Sequence, residues 1–108
     1  MPQNAHEDGM YNHAAMLQYF DAAIHLSWKN APEEEDTPGQ RVLYSSSSDG
    51  TSWSKAQVLF PNMSTDTTPV AQFAGPFATL NGHLYASATP AIIADGDAQG
   101  RCFRLTLH

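Results

Sequence analysis

Eleven of the 108 residues are acidic and five are Lys or Arg, and many of the acids are clustered. Four stand together at Glu33-Glu34-Glu35-Asp36, and Asp95 and Asp97 fall in the run Asp95-Gly96-Asp97-Ala98-Gln99-Gly100. Crowded carboxyls raise one another's pKa, so a pair drawn from Glu34, Glu35 or Asp36 and from Asp95 or Asp97 would set a proton donor beside a base. A solvated acidic loop is the competing reading for Glu33 to Asp36. The run from Asp95 also resembles the start of a calcium loop, but its twelfth position is Thr106 where that motif needs a bidentate Glu. His6, His13, His25, His83 and His108 show no paired ligand spacing on one element. No metal site and no cofactor are therefore assigned. Cys102, the single cysteine, sits in a β-like run and reads as a small buried hydrophobe.

The length suits one core and is too short for two independent ones. Hydrophobic residues at 42% against 15% charged describe a globular chain. A net charge of −6 leaves too few cations to neutralise a row of phosphates, which excludes nucleic acid as the expected partner. No run approaches the roughly 18 apolar residues that a membrane helix needs, so no membrane partner is expected. Met1 to His6 has neither the basic start nor the apolar centre of a signal peptide.

The elements that must position these side chains read as strands. Residues 1–13 have no period and form an irregular lead-in. Met16 to Phe20 and Ala23 to Trp28 flank Asp21-Ala22, a gap of hairpin length. Ile24, Leu26 and Trp28 alternate with Ala23, His25 and Ser27, a period of two that favours strand over the helix which Ala, Met and Leu would otherwise permit. Residues 30–39 make a loop bounded by Pro32, Pro38 and Gly39. A strand follows over Gln40 to Ser46, then a polar turn, then a short strand near 56–60. Residues 61–69 form a linker. Placing residue n against n + 60 pairs Asp21-Ala22 with Asn81-Gly82, Ile24 with Leu84, Ser27 with Ser87, Arg41 with Arg101 and Val42-Leu43 with Cys102-Phe103, with no insertion. A repeat of this period suits four-stranded propeller blades.

The polar turn is Ser47-Ser48-Asp49-Gly50-Thr51-Ser52-Trp53. Its Asp and Ser side chains can bond nearby amides and Gly50 offers a positive φ, while Trp53 has an apolar ring to fold beneath it. The stretch resembles the Asp-box of sialidase-like, BNR-repeat β-propellers. Ser47, Asp49, Gly50 and Trp53 match that motif, and Ser52 stands where Thr is usual. Leu26 to Asn30, Asp36 to Ser45, and Ala74 to Phe77 with Asn81 to Ala86 carry the likeness through most of the chain. The resemblance implies an all-β fold of antiparallel four-stranded β-propeller blades. One complete blade would span 14–60, and most of a second 70–108. The faces left uncovered would then belong against the remainder of a larger propeller or against other copies in a homo-oligomer. A second such turn would begin at Leu107, at the end of the chain.

In that family the turn joins the third and fourth strands of a blade on the side away from the active site. Because strands alternate in direction, the loops 30–39 and 88–100 and the segment with Tyr11 and His13 share the opposite end. The resemblance implies a glycan ligand there, and glycoside hydrolysis in catalytic members, with Glu35, Asp36 and Asp95 as candidate catalytic carboxyls. Arg41, Arg101, Tyr11, His13, Trp28 and Asp97 are the candidate substrate contacts, Trp28 and Tyr11 as stacking platforms. Catalytic sialidases grip their substrate's carboxylate with three arginines. Here Arg41, Arg101 and Arg104 are the only arginines, and no Phe-Arg-Ile-Pro-type motif occurs. For Arg41 the sequence also allows a local salt bridge to Glu35 or Asp36.

Overall fold

Asp21 and Ala22 both have positive φ, 49° and 60°, which is the type I′ turn whose twist matches that of the strands it joins. The computed structural model, which describes residues 11–32, 36–94, 97–99 and 104–107, places this turn between β1 (Tyr11–Phe20) and β2 (Ala23–Ala31). β3 (Arg41–Ser47) pairs with β2, and β4 (Gln57–Phe60) with β3, so the first sheet is a four-stranded antiparallel meander in chain order. β1 begins inside the expected lead-in because Tyr11, Asn12 and His13 find partners in Ala31, Asn30 and Lys29. For the same reason the loop expected from residue 30 starts only after Ala31.

The second sheet repeats the first. β5 (Val70–Ala74) and β6 (Ala78–Leu80) both pair with β7 (His83–Ala94). Ala88 faces both Ala74 and Arg104, and Tyr85 faces both Ala78 and Leu107, so β5 and β6 share one edge of β7. β8 (Asp97–Gln99) and β9 (Arg104–Leu107) lie along the other edge. The broken pair β5–β6 is thus the counterpart of β1. Tyr11↔Ala31 and Phe20↔Ala23 in the first sheet become Ala71↔Ala91 and Leu80↔His83 in the second, at an offset of 60. The third strand departs from this: Ser27 faces Tyr44 but Ser87 faces Leu105, an offset of 105 − 44 = 61, so one extra residue enters where the sequence reading had none.

The long loop expected over 88–100 is also corrected. β7 continues through Ala94 because β5 offers a full edge of partners from Ala88 to Ile92, and Ala94 then faces Asp97 across the β7–β8 pairing.

The sheets meet through Val42, Tyr44 and Phe60 of the first and Phe77, Leu84, Ala86 and Ala88 of the second, all buried. The two alanines let the backbones approach. Within the second sheet Gly75 lies close against β7, since a Cβ there would stand 2.3 Å from the Ser87 Oγ and 3.2 Å from its carbonyl oxygen. His25 crosses this junction. Its Nε2–H donates to the Phe20 carbonyl (3.1 Å) and its Nδ1 meets the Tyr44 hydroxyl (2.8 Å), with the two rings stacked. Burial raises the Tyr44 phenol pKa, an effect partly offset by its bond with Ser46. On the opposite face of the first sheet Leu26, Trp28, Leu43 and Ala56 form a second cluster, against which Trp53 packs.

Ala22 sits in left-handed backbone where the second sheet has Gly82 at φ 78°. The left-handed region costs a non-glycine residue roughly 1–2 kcal/mol, against about 0.5–1 kcal/mol for the extra freedom that glycine loses on folding. Ala22→Gly is therefore expected to stabilise the chain by about 0.5–1 kcal/mol. A urea midpoint that stays put or falls would contradict this account of the turn.

Candidate functional site

One end of the first sheet gathers the start of β1, the end of β2 and the start of β3. Asn12 and Asn30 are cross-strand partners there. The Asn12 Oδ1 accepts from the Trp28 indole Nε1–H (2.8 Å) and from Asn30 Nδ2 (3.0 Å), while the Asn30 Oδ1 accepts from the Arg41 Nε–H (3.0 Å). This relay ties the first strand through the second to the third and holds Arg41 from within the sheet.

On the other face of β2, Lys29 is mostly buried, and its Nζ lies 2.9 Å from the Asp36 Oδ1 and 5.2 Å from the centre of the Phe73 ring of the second sheet. Gln40, fully buried, fixes the Asp36 segment: its Oε1 accepts from the Asp36 amide (2.8 Å) and its Nε2 donates to the Gln72 carbonyl (2.6 Å). The Gln72 amide donates in turn to the Gln40 carbonyl (3.0 Å), and Gly39 N–H to the Val70 carbonyl (3.1 Å). The loop thus docks on β5 by backbone pairing. Tyr11 and His13 project from β1 with ring centres 5.7 Å apart, and His13 lies opposite Lys29.

Five of the expected site residues therefore come to one end: Tyr11, His13, Trp28, Asp36 and Arg41. Trp28 is corrected in its role. It is fully buried and its indole nitrogen is bonded to Asn12, so it has no face to stack on a sugar. Asp36 is the ion-pair partner of Lys29, where the sequence reading offered Glu35 or Asp36 to Arg41. Glu34, Glu35, Asp95 and Arg101 lie outside the described residues, and Asp97 is placed in β8. Lys29, Asn12, Asn30, Gln40 and Gln72 went unnoticed in the sequence. Asn12 and Asn30 were detectable only by counting back from the turn at 21–22 with knowledge of a bulge between His13 and Met16.

At the opposite end Ile24 faces Ser47, which puts the 47–53 turn beside the Asp21–Ala22 turn and away from Arg41. The Ser47 Oγ accepts from the Asp49 and Gly50 amides (3.3 and 2.8 Å) and donates to the Asp49 Oδ1 (3.0 Å). That same Oδ1 accepts from the Thr51 and Ser52 amides, each at 2.8 Å. Gly50 has φ 79°. The Asp49 carboxylate is thus consumed within its own turn.

Sheets of this meander type, related by a repeat and packed face to face, are blades of a β-propeller. The family model described as BT_1020-like, N-terminal beta propeller matches residues 1–79, and the chain belongs to that family. A solved structure titled "Sialidase" has the same fold, with a TM-score of 0.75 at 20% identity. The match covers 97% of this chain and 12% of that one, so the chain spans about an eighth of the sialidase's length. No curated protein matches.

The Ser52 amide above all, then the Thr51 amide and the Ser47 hydroxyl, hold the Asp49 carboxyl below its ordinary range. A depressed folded-state pKa contributes stability above the unfolded value near 3.9, and that stability is lost as pH falls through the folded value. Asp49→Asn is therefore expected to lower the melting temperature at pH 7 and to approach the parent chain as the pH falls through the lowered pKa. Parallel pH profiles for the two proteins would show that the carboxylate charge contributes nothing to the turn.

Proposed function

We propose that the chain is a carbohydrate-binding part of a sialidase-like propeller, and that the end bearing Tyr11, His13, Lys29, Asp36 and Arg41 faces the glycan. One observation carries the reading: the Arg41 guanidinium, held through Asn30 in a relay of two carboxamides, stands at strand ends that also present the Tyr11 and His13 rings. Rigid scaffolds that present side chains at strand ends are where ligand contacts concentrate. A guanidinium held by its Nε in a side-chain relay is oriented for a carboxylate. With Lys29 balanced by Asp36, Arg41 is the cation that favours an acidic sugar, in keeping with the name of the structural neighbour. Cleavage would need a second carboxyl and an arginine cluster. Among the described residues this end offers one carboxyl, Asp36, already held by Lys29. Binding is therefore the function proposed for this chain, and hydrolysis belongs to a propeller that supplies the missing groups.

Sialyllactose is expected to bind in a calorimetric titration. Arg41→Ala should lower the affinity about tenfold, equivalent to about 1.4 kcal/mol, and Tyr11→Ala by a smaller factor. A glycan array that stays blank with the folded chain would overturn the proposal, as would an Arg41→Ala variant that binds sialyllactose as tightly as the parent.

A further inference from the structure

The opposite end of the molecule carries a groove that none of the foregoing uses. The Asp21–Ala22 and Asn81–Gly82 turns are the same element of successive sheets, both with positive φ at each central residue, and they stand side by side. Between them lies an open cavity of about 480 Å³ whose lining includes Gln18, Tyr19, Asp21, Thr79, Leu80 and Asn81. A second cavity of about 350 Å³ shares Phe20 and Asp21 with it and reaches inward to His25 and Leu84. These sizes fall within the range of small-molecule sites.

The lining has a definite chemistry. Tyr19 is 68% exposed and Leu80 60%, which leaves an aromatic ring and an apolar patch in water at the groove. Around them stand the side-chain amides of Gln18 and Asn81, the Thr79 hydroxyl and the Asp21 carboxylate. An aromatic face covers the axial C–H surface of a pyranose, and amides and a carboxylate match its neighbouring hydroxyls as paired donors and acceptors. Among the described residues neither cavity has a Lys or Arg in its lining, and the one charged group there is Asp21. An anionic sugar or a phosphate would meet repulsion without compensation. The His25 ring at the inner end is already bonded to Phe20 and Tyr44. Two type I′ turns fix the walls, so little ordering is needed on binding.

We propose that this groove between the hairpin turns is a second ligand site, selective for a neutral carbohydrate, with Tyr19 as the stacking platform and Asp21 and Asn81 as hydroxyl-binding groups. It stands apart from the acidic-sugar reading of the other end, and either site can fail without the other.

The test is a titration of the isotopically labelled chain with cellobiose, lactose and maltose, and with glucuronic acid as the charged control, followed by backbone amide shifts. At least one neutral disaccharide is expected to give saturable shifts at Asp21, Asn81 and Gly82, while glucuronic acid gives none there. Tyr19→Ala, a change at an exposed position, should abolish those shifts with the rest of the spectrum unaltered, and Tyr19→Phe should preserve them. Asp21→Asn should weaken the neutral-sugar shifts and admit glucuronic acid. Shifts at Tyr11, His13 and Arg41 report the other end separately. The proposal is overturned if no neutral disaccharide moves the turn amides, if glucuronic acid moves them as strongly in the unmodified chain, or if Tyr19→Ala leaves the shifts unchanged.

Discussion

An extra residue in the first strand decides where the polar side chains of this protein go. Between His13↔Lys29 and Met16↔Ser27 the register of β1 against β2 slips by one, with Ala14 at φ 55° and Ala14-Ala15 together opposing Trp28. A slip of one residue exchanges the faces of everything beyond it. Without it Asn12 would face Ala31. With it Asn12 lies over Asn30 and the Trp28 indole, and His13 lies opposite Lys29 at the junction with the second sheet. The second sheet has the same slip between Ala74↔Ala88 and Ala78↔Tyr85, where Gly75 approaches Ser87 too closely for any side chain. Small residues on the strand are the condition for the bulge in both sheets, and the relay to Arg41 follows from it.

Burial of both sheet faces is the second constraint. Ser27, Lys29, Asn30, Gln40, Ser45 and Gln72 are all buried, and buried polar groups need partners. Gln40 and Gln72 are tied by bonds that join one sheet to the next, Lys29 is paired with Asp36 beneath Phe73 of the second sheet, and Asn30 and Ser45 are bonded within the first. Removing one partner from such a set costs more than the bond itself, since the other is left desolvated. The Gln72 Oε1 is a buried acceptor with no donor among the described residues, and an ordered water is the ordinary way such an atom is satisfied.

Much of this was legible in the sequence because it is encoded locally. Asp21-Ala22 and Asn81-Gly82 announce their turns, the alternation at Ile24, Leu26 and Trp28 announces a strand, and Ser47 to Trp53 announces a self-bonded turn. What was not legible depends on partners distant in sequence. Trp28 shows the period of a strand residue, but whether an aromatic at a strand end meets solvent or core depends on Asn12, sixteen residues away. Gln40 and Gln72 are thirty-two residues apart, and nothing in their local sequence announces that they meet when the sheets dock. The strand from 88 to 94 was hidden because its edge partner, β5, precedes it across a bend at Gly75-Pro76-Phe77.

The two ends of the first sheet differ in how far their side chains serve the fold. In the 47–53 turn the Ser47 hydroxyl and one oxygen of Asp49 take up five contacts within seven residues, so the turn satisfies itself and needs nothing from outside. At the other end the bonds are longer in range, from β1 to β2 to β3 and from the Asp36 loop to β5, and they hold side chains in place along a rim. A self-satisfied turn can stay rigid while contributing no chemistry, and its rigidity is what sets the neighbouring strand ends at a constant spacing. The most conspicuous motif in the sequence is on this account spent on its own turn, and the side chains held along the opposite rim are those that local sequence describes least.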